Sequence, residues 1–181
     1  SKMLFDQYAA RQSDRGQSPS QWAGLKFFNV YGPNEGHKGG MKSVVAQIWP
    51  KVAADETVTL FRSHNPAYAD GGQMRDFVYV KDVAEVCFFL LNHRQHSGIY
   101  NLGSGKARTF HDLVTNTFHA LGMEPNIGFI DTPADIRDKY QYYTQANMSK
   151  LRSIGYERPF HTLEAGIADY IRTYLKSGKY L

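Results

Sequence analysis

The sequence predicts an α/β protein, on three observations. Short runs rich in Phe, Val and Ile recur along the chain, several of them stopped by glycine or proline. Between these runs, apolar residues return at the spacing of one helix face. The two kinds of segment alternate, as they do where helices cover a largely parallel sheet.

The elements follow in order. Residues 2–12 read as a helix with Leu4, Phe5 and Tyr8 on one face. Residues 24–31 form an apolar run stopped by Gly32 and Pro33, a buried strand with a turn behind it. Met41, Val44, Val45, Ile48, Trp49 and Val52 then make one helical stripe. Residues 57–61 give a second strand, and 63–73 a long loop of the kind that carries function or moves. Residues 77–80 are a third strand. Asp82 is placed to cap a helix over 83–92, which is apolar on nearly all sides and expected to be buried. Residues 99–102 are a fourth strand, closed by the turn Gly103-Ser104-Gly105. Thr109 and Asp112 have the spacing of a capping box, and Leu113, Val114, Phe118 and Leu121 carry the stripe of that helix to Gly122. Then come a strand over 127–130, a short helical stretch over 146–154 and a last helix over 162–176. That last helix turns Leu163, Ile167, Tyr170, Ile171 and Tyr174 inward and stops at Gly178.

Composition bounds the function classes. A chain of 181 residues can bury a core, as one domain or a domain plus a lobe. With 42% hydrophobic and 21% charged residues it reads as a soluble globular protein. A net charge of +4, evenly spread, suits an anionic small molecule and argues against nucleic acid. Cys87, the single cysteine, lies in the apolar run 86–91, excludes an internal disulfide and agrees with a reducing compartment. No apolar run is long enough to span a bilayer and no signal-peptide pattern opens the chain, so no membrane partner and a cytoplasmic location are expected. Nothing in the sequence sets the oligomeric state, and a homo-oligomer stays open.

A sheet that binds a dinucleotide opens with a strand, a glycine-rich turn and a helix. No G-x-G-x-x-G turn occurs here, and Gly103-Ser104-Gly105 lies late and is followed by Lys-Ala-Arg. The chain also starts abruptly in a helix. The expectation is a chain cut from a longer one, its cofactor motif upstream.

Four stretches carry a resemblance, in register along the chain. They are Ser1-Lys2-Met3-Leu4-Phe5-Asp6, Phe27-Phe28-Asn29-Val30-Tyr31-Gly32-Pro33, Arg75-Asp76-Phe77-Val78-Tyr79-Val80-Lys81-Asp82-Val83 and Tyr100-Asn101-Leu102-Gly103-Ser104-Gly105. Together they resemble the second half of the extended short-chain dehydrogenases that act on nucleotide sugars. The resemblance implies the C-terminal part of a Rossmann-type doubly wound sheet plus a smaller α/β substrate-binding lobe. Residues 1–32 and 76–104 would belong to the dinucleotide-binding domain, and 33–75 and 105–181 to the lobe. Within the family, Asn34-Glu35-Gly36-His37-Lys38-Gly39 and the stretch 138–146 are similar to the branch that epimerises ADP-heptose. That implies ADP-heptose as the small-molecule partner and NADP as the cofactor. The reaction would be inversion at C6 of the heptose by transient oxidation, for lipopolysaccharide core precursors. The loop 63–73 is longer than in that branch.

Roles follow from the resemblance position by position. Lys2 matches the lysine of the family's Tyr-x-x-x-Lys pair, which holds the nicotinamide ribose; the tyrosine would fall just before residue 1. Lys38, between glycines behind a Gly-Pro turn, is the candidate acid/base on the second face of the reacting carbon, with His37 beside it competing for the role. Val30 would pass the cofactor by its backbone, and Lys38 would also meet it. Asn29 would bond a sugar hydroxyl, the alternative being a satisfied internal amide. Arg75 would clamp the diphosphate, the alternative being an ion pair with Asp76. Tyr140 would touch sugar or phosphate, and Gly40, Gln47, Phe61, Arg62 and Ser63 would line the substrate site. His93-x-x-His96 has no carboxylate or cysteine beside it, so no metal site is expected. The competing reading is a non-catalytic module that binds a sugar nucleotide without turning it over, or another nucleotide-sugar epimerase or dehydratase of the same family.

Overall fold

The computed structural model describes residues 1–179. Strands and helices alternate as the sequence predicts, beginning with α1 (Lys2–Asp14). The run over 24–31 is extended but breaks at Phe28 into β1 (Ala23–Phe27) and β2 (Asn29–Tyr31). The halves serve different neighbours. β1 pairs in parallel with a strand at Gly98–Leu102, and β2 in parallel with one at Met74–Tyr79. A third parallel pair joins β3 (Val58–Phe61) to a strand at Ile127–Ile130. In chain order the remaining strands are β4 (Met74–Tyr79), β5 (Gly98–Leu102), β6 (Ala107–Thr109) and β7 (Ile127–Ile130). β6, for which the sequence reading has no strand, runs antiparallel to β4.

β4 divides the interior, because neighbouring side chains on a strand point to opposite faces. Phe77 and Tyr79 face a core with Val45, Leu113, Phe118 and Ile167; Val78 faces a second core with Val86, Leu90, Leu102 and Leu151. The first core is roofed by α2 (Val44–Ala53), α4 (Phe110–His119) and α7 (Leu163–Asp169). The second is covered by α3 (Val80–Asn92) and α6 (Ser149–Ser153), with the short α5 (Ala134–Arg137) lying between α4 and α6 in the chain. The capping box of α4 is formed, and Thr162 caps α7 through the amide of Ala165. Leu163, Ile167, Tyr170, Ile171 and Tyr174 are all buried as their spacing predicts, although the helix widens into π-helical turns over Tyr170–Leu175.

Three expectations are corrected. Met41 does not join the stripe of α2: that helix starts after its cap, Ser43, and leaves Met41 86% exposed. α3 begins at Val80, directly off β4, so Asp82 sits inside its first turn and is not the cap. The buried Asp82 carboxylate instead accepts from the backbone N of His161 at 2.9 Å and bonds its Nδ1 at 2.7 Å. Nor is α3 buried all round. Val83, Val86 and Leu90 meet the core, while Phe88 and Leu91 on the far side are exposed. An apolar composition says that a helix can be covered; what covers it is a matter of neighbours. Leu4, Phe5 and Tyr8 of α1 are exposed for the same reason.

Two details place the loops around the site. Gly32 turns the chain after β2 at φ 143°, and a Cβ there would stand 2.4 Å from Val80 Cγ1, so only glycine fits. Asp76 is fully buried on β4 and accepts from Ser104 N (2.6 Å), Ser104 Oγ (2.7 Å), Gly105 N (2.9 Å) and Ala146 N (2.9 Å). One carboxylate thus pins the turn after β5 and the approach to α6 onto the central strand.

Candidate functional site

Arg75 lies on β4, half-buried, and its Nη1 donates to the carbonyl of Met74 at 2.8 Å. Its guanidinium lies 5.7 Å from the centre of the Phe110 ring and 5.5 Å from that of Tyr140. Tyr140 in turn meets Phe61 edge-on at 6.1 Å and Tyr142 at 5.7 Å. Three residues that the resemblance singled out, Phe61, Arg75 and Tyr140, are therefore brought together, and Phe110, which it did not, completes the cradle. Asp76 does not pair with Arg75; its oxygens are taken by the turn after β5. No carboxylate among the described residues forms an ion pair with Arg75. Burial lowers the Arg75 pKa, with the neighbouring Tyr140 phenol pulling the other way, while burial raises that of Tyr140 against the pull of Arg75. Arginine titrates so high that it stays charged. The arrangement is a fixed, uncompensated cation between aromatic faces, suited to an anion carrying a flat or sugar-like body.

Arg62 and Ser63 border this cradle but are already engaged. Arg62 pairs with Asp70 at 3.2 Å and Asp131 at 3.7 Å. The Ser63 N donates to Asp70 at 2.8 Å and its Oγ to the carbonyl of Asn65 at 2.7 Å. The long loop is thereby organised, and it leans on the aromatic segment: His64 N donates to the Tyr142 hydroxyl at 2.9 Å, and Tyr68 packs on Tyr142 at 5.0 Å.

Lys38 projects from a short 3-10 turn over Gly36–Met41, all of it exposed, with Gly39 at φ 54°. Gly40 and Gln47 meet beside it. The exposed Gln47 side chain donates to the carbonyls of Gly40 at 3.2 Å and Lys42 at 2.7 Å. Asn29 opens β2, in register with Phe77, and its exposed amide makes no hydrogen bond to the described residues. Val30 packs its side chain on the second core. Lys2, on the first turn of α1, lines a cavity of about 620 Å³ together with Phe5, Leu25 and Phe27. Neither the Lys2 nor the Lys38 ammonium has a partner among the described side chains.

Residues 1–103 match the family described as NAD dependent epimerase/dehydratase. The chain belongs to that family. Among its curated relatives, ADP-L-glycero-D-manno-heptose-6-epimerase of Nitratidesulfovibrio vulgaris (strain DP4) is 50% identical over 175 residues, covering 97% of this chain and 53% of the relative. The enzyme of that name from Fusobacterium nucleatum is 45% identical, over 100% of this chain and 56% of its own. The chain thus spans about half the length of the curated relatives it matches. Among solved structures, the Helicobacter pylori enzyme of the same name superposes with a TM-score of 0.76 at 31% identity, covering 95% of this chain and 49% of the other. Thermus thermophilus UDP-glucose 4-epimerase, in complex with NAD, reaches 0.70 at 29%, covering 93% of this chain and 51% of the other.

A family of NAD-dependent epimerases implies a nicotinamide dinucleotide, and the residues present fit one end of it. Lys2 lines one cavity with Leu25 and Phe27 of β1, and an ammonium there suits ribose hydroxyls. A glycine-rich turn for the pyrophosphate is not among the 181 residues. Among the described residues no helix is long and apolar enough to cross a membrane, and no three or more of His, Cys, Asp and Glu come together as a metal site would need.

Proposed function

We propose that the protein carrying this chain inverts C6 of the heptose in ADP-D-glycero-D-manno-heptose, giving ADP-L-glycero-D-manno-heptose. NADP would be its cofactor, the cytoplasm its place, and the product would feed lipopolysaccharide core synthesis. The observation that carries the reading is identity of 50% and 45%, over nearly the whole chain, to relatives named for that reaction.

The geometry supports it. Arg75 offers the diphosphate a charge with no internal competitor, and Tyr140 and Phe61 wall the same cradle. Arg62 and Ser63 shape the nucleotide end through the loop that they organise. Asn29, unbonded at the mouth of β2, is free to meet a sugar hydroxyl, beside the backbone of Val30. When bound, the nicotinamide supplies reversible oxidation at the reacting carbon. Lys2 orients its ribose. Lys38 moves the proton on the second face, on a loop that Gly40 and Gln47 shape.

The test is Lys38→Ala in the full-length protein, followed by NMR of the two heptose epimers. Removing a general acid/base is expected to lower kcat by about 10²–10⁴-fold while KM changes little. Epimerisation at the unchanged rate would overturn the role of Lys38. Turnover of UDP-hexoses with ADP-heptose left untouched would overturn the substrate.

A further inference from the structure

We propose that Glu35 is a positioning residue, whose buried carboxylate closes the Lys38 loop at both ends and ties it to the C-terminal helix. The proposal deepens the reading of Lys38 given above and rests on it.

The loop cannot position itself. Residues 36–41 are exposed, three of them are glycine, and a Cβ at Gly39 or Gly40 would touch nothing within 4 Å. Glycine-rich backbone loses much entropy on ordering, so such a loop holds one geometry only if its ends are fixed. Glu35 stands at the near end and is 5% exposed. Its Oε2 accepts from the backbone N of Ser43 at 2.6 Å, and its Oε1 from Ser43 Oγ at 2.5 Å. Ser43 is the far end of the loop and the cap of α2. One side chain therefore staples residue 35 to residue 43 across the segment that carries Lys38. The same residue's carbonyl accepts from Lys38 N at 3.0 Å.

The third donor fixes this staple in the molecule. Tyr170 Oη donates to Glu35 Oε1 at 3.0 Å, and Tyr170 is buried beside Ile167 and Ile171 in the first core. Burial pushes the Tyr170 phenol up, and the charge of Glu35 and the bond to it add to the effect, so the hydroxyl remains a donor. No cation pairs with Glu35 among the described residues; three neutral donors hold its charge. A buried carboxylate without a cation is a costly choice for filling space. It is the right choice where one group must accept from three directions. A glutamine has one acceptor oxygen: its amide either meets the donor-only backbone N of Ser43 or, turned over, makes the Ser43 and Tyr170 hydroxyls give up donating and accept instead. Gln47 also ties the loop, but from the exposed side.

The experiment compares Glu35→Gln, Ser43→Ala and Tyr170→Phe in the full-length protein, alone and combined with Lys38→Ala. Misplacing an acid/base by about an ångström costs on the order of 10²-fold, so Glu35→Gln is expected to lower kcat by about 10–100-fold. The two milder variants should lose about threefold to tenfold. The affinity for ADP, by calorimetry, and KM should stay within about twofold, because the Arg75 cradle is untouched. On the Lys38→Ala background, Glu35→Gln should cost nothing more, since a residue acting through Lys38 has nothing left to position. Trypsin should cut after Lys38 and Lys42 faster in Glu35→Gln. A folded Glu35→Gln with full kcat and unchanged cutting would overturn the proposal, as would losses that add to those of Lys38→Ala. Should Glu35→Gln fail to fold, a folded Tyr170→Phe and Ser43→Ala at full kcat would overturn it equally. Full activity of Lys38→Ala would strike the catalytic reading alone, and the trypsin comparison would still read the staple.

Discussion

Arg75 is oriented by a carbonyl and two rings and is left without a carboxylate, so its charge is available to a ligand. A hydrogen bond to a charged group contributes roughly 1.5–3 kcal/mol, which is about 10–100-fold in affinity. Arg75→Ala should weaken ADP binding by that factor in a calorimetric titration. Arg75→Lys should recover only part of it, because an ammonium cannot reproduce the planar fork. An Arg75→Ala protein that binds ADP as tightly as its parent would return Arg75 to a purely structural role. The residue types at this site were legible in the sequence through the motifs that carry them. Phe110 was not: it reads as an ordinary helix-start residue, and its place under Arg75 depends on β6 pairing with β4. Glu35 was visible only as a letter between Asn34 and Gly36, because burial of a loop carboxylate leaves no periodicity to read.

At the scale of elements, α7 approaches β2 and β4 closely because Gly166 has no side chain. A Cβ there would lie 2.1 Å from Tyr31 Oη and 3.3 Å from Tyr79 Cβ. Tyr31 cannot swing away easily: it is 3% exposed, its ring lies 5.4 Å from that of Tyr79, and its hydroxyl donates to the carbonyl of Leu163 at 3.5 Å. Gly166→Ala should therefore overpack the contact and destabilise by about 1–3 kcal/mol, in spite of the better helix propensity of alanine. In a domain of this size that lowers Tm by roughly 2–4 °C per kcal/mol. A melting curve unshifted, or shifted upward, would mean that α7 can slide without cost. The existence of this helix, its inward face and its cap were all legible from spacing. Its distance from the sheet was not, since that is set by what stands opposite.

For the molecule as a whole, Asp169 is a tie between the central strand and the C-terminal helix. It accepts from Tyr79 Oη at 2.8 Å, Lys81 Nζ at 2.6 Å and Thr173 Oγ1 at 2.8 Å. Burial works to raise its pKa, but the bonds from Lys81, Tyr79 and Thr173 outweigh it and the net shift is downward. The bond from Arg108 likewise lowers Glu164, a few residues earlier. A carboxyl depressed in the folded state contributes stability that is full above the unfolded carboxylate range, and that is lost as pH falls through the depressed value. Asp169→Asn should cost about 1 kcal/mol or more at neutral pH and progressively less below about pH 4. Urea unfolding at pH 7 and pH 3 checks this: equal losses at both would show that the charge of Asp169 plays no part.

The sequence by itself determined the alternation of strands and helices, the inward face of the last helix, the capping box at Thr109 and the family motifs. These rest on spacing of a few residues, which local backbone geometry converts directly into structure. Only the tertiary structure decided that 24–31 divides between two neighbours at Phe28, that Asp82 serves His161 rather than its own helix, and that Phe61, Arg75, Phe110 and Tyr140 form one cradle. Those outcomes depend on segments far apart in the chain. Which donor reaches a carboxylate, and which ring reaches a guanidinium, follows from how the elements pack, and no local pattern encodes it.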